Sequence, residues 1–157
     1  MDLEKFTERA KGFLQSAQTV AIRMSHQRIG SEHLLKALLE DDQGMAAGLI
    51  AKAGGNVGAA QTAIDDALAK VPAVSGGGAQ TPPGLDNDAV RVLDQAEQVA
   101  QKAGDSFVTV ERLLLALLLA TTTEAGKALA AAGLTAEALN GAINELRGGR
   151  TADTASA

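Results

Sequence analysis

The chain has no cysteine, tryptophan or tyrosine, and its aromatic content is 2%. Without cysteine there is neither a disulfide scaffold nor thiolate chemistry, which fits a reducing compartment. Without large rings, the 46% of hydrophobic residues falls mainly on Ala, Leu, Val and Ile. Ala and Leu are strong helix formers, and small side chains let helices approach closely, so the composition points to an all-helical domain. Basic charge is also scarce: 14 Lys and Arg stand against 19 Asp and Glu, for a net charge of -5. No basic tract is present to neutralise a phosphate backbone, which argues against a nucleic-acid partner. The longest apolar run, Leu113–Ala120, is too short to span a membrane as a helix. The opening MDLEKFTERAK lacks the apolar run of a signal peptide. These absences predict a cytoplasmic protein with no membrane partner.

What is present is a sentence written twice. SEHLLKALLEDD starts at Ser31 and VERLLLALLLAT at Val110, and Glu111 minus Glu32 gives the same offset, 79, as Leu113 minus Leu34. At that offset Ala10, Leu14, Ala17, Val20 and Ala21 fall on Ala89, Leu93, Ala96, Val99 and Ala100. Further on, Gly54, Ala63 and Ile64 fall on Gly133, Ala142 and Ile143. The register never slips, which marks a tandem repeat rather than shared composition.

Each repeat reads as four helices. In the first, Phe6, Ala10, Phe13, Ala17, Val20 and Met24 step by threes and fours along one apolar stripe. The second follows Gly30-Ser31 and runs from Glu32 to Glu40. The third covers Met45–Ala53 and stops at Gly54-Gly55, read as a left-handed terminating pair. The fourth starts after Asn56, a good cap, with Val57, Ala60, Ile64, Ala67 and Leu68 facing inward. Thr109 and Thr135 cap the corresponding helices of the second repeat. Leu113 to Leu119 cover nearly the whole circumference of their helix, so that helix belongs at the centre of a core. The predicted fold is all-α: two tandem pseudo-twofold repeats of four helices packed as one globular domain. Its bounds are 1–150, with repeat one at 1–70, an inter-repeat loop at 71–84 and repeat two at 85–147. In the loop, VPAVSGGGAQTPPG carries consecutive glycines and prolines that oppose a helix. Residues 151–157 are polar, follow a glycine pair and are expected to be disordered.

Signals for catalysis are few. There is no phosphate-cradling GxxxxGK[ST], no GxSxG elbow and no HExxH. His26 and His33 have Asp105 and Arg112 at the matching positions of the second repeat, and read as structural histidines. Asp41-Asp42 and Asp65-Asp66 are adjacent pairs that point apart on a helix, as surface charge does. Glu111 lies in the first turn of a helix capped by Thr109, where its charge suits the positive helix end. Asp105, in AGDSFVT, belongs to a connecting loop.

A resemblance then adds to this reading. LEKFTERAKGFLQSAQTVA, SHQRIGSEHLLKALLEDD and QKAGDSFVTVERLLLALL, in that spacing and closed by ELRGGR, resemble the Clp amino-terminal repeat domain. The branch they look most like belongs to bacterial protein disaggregases, and the likeness runs from Leu3 to Arg150. It implies a substrate-recruiting domain for unfolded or aggregated proteins, joined by a linker starting at 151–157 to a hexameric AAA+ ring. ATP and Mg would belong to that ring and no cofactor to this stretch, which would not itself be an enzyme. The DnaK chaperone system would act through other domains. Family positions implicated in substrate handling match Thr7, Asp105 and Glu111. An apolar groove between the repeats would draw on Val99, with Gln95 and Arg112 beside it, the last two being departures from a purely apolar lining. The alternatives implied are an adaptor-docking domain of a protease-linked Clp ATPase and a spacer that binds nothing.

Overall fold

The computed structural model describes residues 2–74 and 82–157. Among them are eight α-helices: α1 (Glu8–Arg23), α2 (Ser31–Leu39), α3 (Met45–Lys52), α4 (Val57–Ala69), α5 (Asn87–Lys102), α6 (Val110–Leu119), α7 (Glu124–Ala131) and α8 (Ala136–Arg147). A 3-10 turn spans Leu3–Lys5, and two short strands, β1 (Arg28–Ile29) and β2 (Gly84–Leu85), pair in parallel. The all-α reading holds, and the strand pair is an addition that hydrophobic periodicity in a stretch this short does not reveal.

Local chemistry sets the helix starts. The first amides of a helix have no partner within it, and a side-chain oxygen just before the first turn can accept from one of them. Thr7 Oγ1 accepts from Ala10 N at 3.1 Å, and its repeat partner Asp86 accepts from Ala89 N at 2.8 Å. Asn56 caps α4 and its partner Thr135 caps α8 in the same way, at 3.0 and 3.2 Å. Phe6 consequently lies before α1 rather than heading its stripe; it is extended and forms a parallel bridge with Val108. Gly54 and Gly133 follow α3 and α7 with φ of 87° and 86°, a left-handed turn that favours glycine. Gly55 is not left-handed as expected. It is small for another reason, since a Cβ there would lie 2.9 Å from Ile50 Cγ2 and 3.0 Å from Leu134 Cγ.

The repeats interlock. Phe6 pairs with Val108, and Leu85 pairs with Ile29. Adding 79 to Phe6 and Ile29 gives Leu85 and Val108, so one cross-repeat pairing occurs twice. In the same exchanged fashion α4 packs on α7 and α3 on α8. Separate domains could not make these contacts. At the centre, α6 buries every residue from Val110 to Leu118, and α2 buries Leu34, Leu35, Ala37, Leu38 and Leu39. The core is one continuous cluster of these leucines with the alanines of α1 and α5, a composition suited to close helix packing.

Around the inter-repeat loop, Val74 N donates to the Ser25 carbonyl at 2.8 Å, and Gln18 Nε2 donates to the Pro83 carbonyl at 3.3 Å. The triple glycine lies outside the described residues. Residues 151–157 depart from the expected disorder: Ala152 is buried, and the Ala155 carbonyl accepts from Glu8 N at 2.8 Å, at the start of α1. No single described helix is long and apolar enough to cross a membrane.

Candidate functional site

The α5–α6 connection folds back on itself through Gly104, whose φ is 83°, and is tied by Asp105 N donating to the Ala100 carbonyl at 2.9 Å. This aims the Asp105 carboxylate inward, at the start of α6 and the end of α8. Arg147, in the last turn of α8, meets it with two parallel bonds: Nη1 to Oδ1 and Nη2 to Oδ2, both 2.9 Å. The fork of a guanidinium matches a carboxylate in this way, and such charge-assisted pairs are the strong ones. Arg112, in the first turn of α6, donates Nε to Asp105 Oδ2 at 3.1 Å and Nη1 to Asn140 Oδ1 at 3.3 Å. Arg147 Nε reaches Glu111 Oε2 at 2.7 Å, and its Nη2 also reaches Thr109 Oγ1 at 3.0 Å. Two carboxylates thus face two guanidiniums, so the buried charge is balanced.

That balance governs the protonation states. Burial pushes the Asp105 carboxyl upward, but hydrogen bonds from Arg147, the Ala152 amide and Arg112 outweigh it and hold the group at about 2. Hydrogen bonding to Asp105 raises Arg147 above its ordinary value, against the opposing effect of burial. Asp105 and Arg147 therefore stay charged at neutral pH. Breaking a buried pair by removing one partner is expensive, whatever the net worth of forming it.

The sequence-derived site residues divide into two groups. Asp105, Glu111 and Arg112 meet in this one corner, and Thr7 adjoins it, its amide donating to the Val108 carbonyl at 2.9 Å. All four are buried, Thr7 most of all at 1% exposure and Glu111 least at 7%. Thr7 does not bond to a preceding carbonyl; its hydroxyl oxygen serves as the cap of α1. Gln95 and Val99 are half-buried on α5 and do not join the ion network; Val99 packs against the core. Arg112 is drawn into the ion network, with its head group on Asp105 and Asn140. The large exposed apolar side chains, Leu3, Ile22, Val74, Leu119 and Leu146, come from separate parts of the chain. Beside the corner, Asp105, Ser106, Phe107 and Val108 line a cleft of about 200 Å³ together with Lys5, Glu97 and Gln101.

Sequence reasoning misses Arg147, the hub of the network. Its repeat partner is Leu68, so the repeat carries no signal for it, and ELRGGR reads only as a boundary. Where repeat two has Asp105 and Arg112, repeat one has His26 and His33, with His26 Nδ1 and His33 Nε2 2.8 Å apart. Gly30 N donates to His33 Nδ1 at 2.8 Å, which leaves the proton on His33 Nε2, facing His26. Burial, with His26 adding, pushes His33 down to about 4, so this pair is neutral. Among the described residues no group of His, Asp and Glu is arranged to hold a metal ion.

Comparison with known proteins agrees with the interlocked double repeat. Residues 5–132 match the family described as the Clp repeat (R) N-terminal domain. The chain belongs to this family. Over its full length this Clp N-terminal domain is 54% identical to a protein named Chaperone protein ClpB from Rhodopseudomonas palustris, and it spans 18% of that protein's length. Its fold matches the Hsp104 N-terminal domain from Candida albicans with a TM-score of 0.78 and 23% identity, covering 96% of this chain and 97% of the other. A ClpV N-domain solved in complex with a VipB peptide matches with a TM-score of 0.70 and 20% identity, covering 97% and 92%. At those identities the solved structures speak for the fold.

Proposed function

We propose that this Clp N-terminal domain recruits unfolded or aggregated polypeptide for an ATP-driven protein disaggregase of the ClpB kind. The observation that carries the reading is the convergence of Thr7 before α1, Asp105 in the α5–α6 loop, and Glu111 and Arg112 of α6 onto one corner beside a cleft. Support comes also from the full-length likeness to proteins named Chaperone protein ClpB. Because they are buried, Thr7, Glu111 and Arg112 act by holding Asp105 and the α5–α6 loop in shape, and the loop lines the cleft. Gln95 and Val99, half-buried on α5, extend the reading to a neighbouring helix face. The domain carries no chemistry of its own. ATP and Mg act in AAA+ modules outside this stretch, in a cytoplasmic hexamer that works with the DnaK system. An extended chain is ordered on a small surface here, so affinity is weak, which suits transient delivery to a ring.

The experiment is a titration of reduced, carboxymethylated α-lactalbumin, which stays unfolded, into the isotope-labelled chain with backbone amide shifts as readout. Shifts clustered around Thr7, Val99 and Asp105–Arg112 are expected. Shifts absent from these positions at high ligand concentration overturn the assignment. Docking of an adaptor peptide is the second reading, favoured by the fold shared with the ClpV N-domain that was solved with a peptide.

A further inference from the structure

The segment after α8 makes an unusual set of contacts with the corner. Ala152 N donates to Asp105 Oδ1 at 2.9 Å, and its carbonyl accepts from both Ser106 N, at 2.9 Å, and Phe107 N, at 3.1 Å. Its methyl group is buried, whereas Thr151, Asp153 and Thr154 on either side are exposed. Three residues on, the Ala155 carbonyl accepts the amide of Glu8. Thr151 and Asp153 turn their side chains toward each other, with Thr151 Oγ1 donating to Asp153 Oδ1 at 2.9 Å. From Thr151 onward the segment is thus held to the domain mainly through its backbone and one buried methyl. Nothing in that pattern reads a sequence beyond a requirement for a small residue at one position.

The first repeat shows that this burial is not demanded by the fold. Subtracting 79 from Ala152 gives Ala73, in the segment after α4. There Pro72, Ala73 and Val74 are all exposed, and Val74 N donates to the Ser25 carbonyl at 2.8 Å. His26 stands in place of Asp105 and offers no carboxylate to a passing amide. Burial of the segment thus accompanies the Asp105 loop and is not a property of every repeat.

We propose that Thr151–Ala155 is a detachable strap that occupies in cis a backbone-recognising peptide site made by Asp105, Ser106 and Phe107, and that an extended polypeptide binds there by displacing it. The polypeptide would place an amide on Asp105 Oδ1, a carbonyl on the Ser106 and Phe107 amides, and a small side chain where the Ala152 methyl sits. Release leaves the buried network intact, since Asp105 keeps both guanidiniums. A few exchangeable backbone bonds set against the entropy of ordering a polar segment make a contact that opens readily. The second part of the proposal rests on the recruitment reading; the existence of the peptide site does not.

The test uses three chains: 1–157, the chain truncated after Gly149, and full-length Ala152→Pro, which removes the amide that Asp105 accepts without shortening the strap. A synthetic peptide of residues 150–157 is added to the truncated chain, and the unfolded α-lactalbumin to all three. The peptide is expected to shift the amides of Asp105, Ser106 and Phe107 in trans. Truncation and Ala152→Pro are each expected to tighten α-lactalbumin binding at least threefold and to enlarge its shifts at Ser106 and Phe107 relative to those in 1–157. If the peptide moves none of those amides in trans, the site is overturned. Equal affinity and an equal shift map for all three chains overturn displacement. If α-lactalbumin binds none of them while the peptide still titrates Ser106 and Phe107, the recruitment reading fails and the strap site stands.

Discussion

His26 and His33 in the first repeat occupy the positions of Asp105 and Arg112 in the second, and each pair is in contact: 2.8 Å between ring nitrogens, 3.1 Å between guanidinium and carboxylate. The backbone has kept its symmetry while the chemistry inside it has diverged. Leu68 stands where Arg147 stands, so the first repeat has no hub, and its Glu32 lacks the guanidinium that serves Glu111. Burial, with Asp86, Glu124 and Asp88 nearby, accordingly raises Glu32 above the usual carboxylate range. The difference teaches that the interlocked fold needs some satisfied polar pair at this loop and does not care which. In the charged version a side chain, Asp105, takes an amide of the following segment, whereas in the first repeat the Ser25 backbone carbonyl does so.

The largest effect that could break this comparison is Arg147→Leu, which copies the first repeat into the second. It strips Asp105 and Glu111 of their common partner and is expected to cost about 3–5 kcal/mol in urea denaturation. The triple variant Asp105→His, Arg112→His, Arg147→Leu transplants the whole neutral arrangement and should lose less than Arg147→Leu alone. A larger loss would mean the two loops are not interchangeable. Next in size come Leu35→Ala and Leu114→Ala, partners at the repeat offset and both fully buried. Each should cost about 2–5 kcal/mol, and a marked inequality would show that the two central helices do not share the core evenly.

Acid separates the repeats further. His33 is held at about 4, below its ordinary 6.5. Between those values the unfolded chain binds more protons than the folded one, so the His33 contribution is complete above pH 6.5 and is lost as the pH falls toward 4. Asp105, held at about 2 against an ordinary 3.8, loses its contribution only below pH 3.8. Glu32, raised, works in the opposite direction to His33, so the readout is local: nitrogen shifts of the His33 ring should report a neutral imidazole down to about pH 4. A ring that titrates near 6.5 would contradict the buried neutral pair. The smallest effect expected is on the caps. Thr7→Ala and Asp86→Ala, at matched positions, should each cost about 1 kcal/mol of thermal stability.

Much of this architecture is legible in the sequence because repeat register, apolar periodicity and cap residues are local signals. The offset between Glu32 and Glu111 predicts the pseudo-symmetry, and Asn56, Thr109 and Thr135 mark helix starts that the structure keeps. Asp105 and Glu111 stand out through family likeness, and the physical role of each depends on Arg147, thirty-six residues beyond Glu111. No periodicity reports a contact at that separation. The order of residues 151–157 is hidden for a related reason: composition measures what a segment can bury by itself, and Ala152 is buried by a loop far earlier in the chain. The pairing of Phe6 with Val108 is equally silent in the sequence, because a bridge this short has no pattern to detect.

The most direct measurement compares the two matched loops under one ligand. Unfolded α-lactalbumin is titrated into the labelled chain, and amide shifts over residues 104–109 are set against those over residues 25–30. The charged corner predicts shifts concentrated in the second repeat, with the loop of the first repeat unmoved. Equal shifts in both loops, or shifts in the first alone, would contradict it.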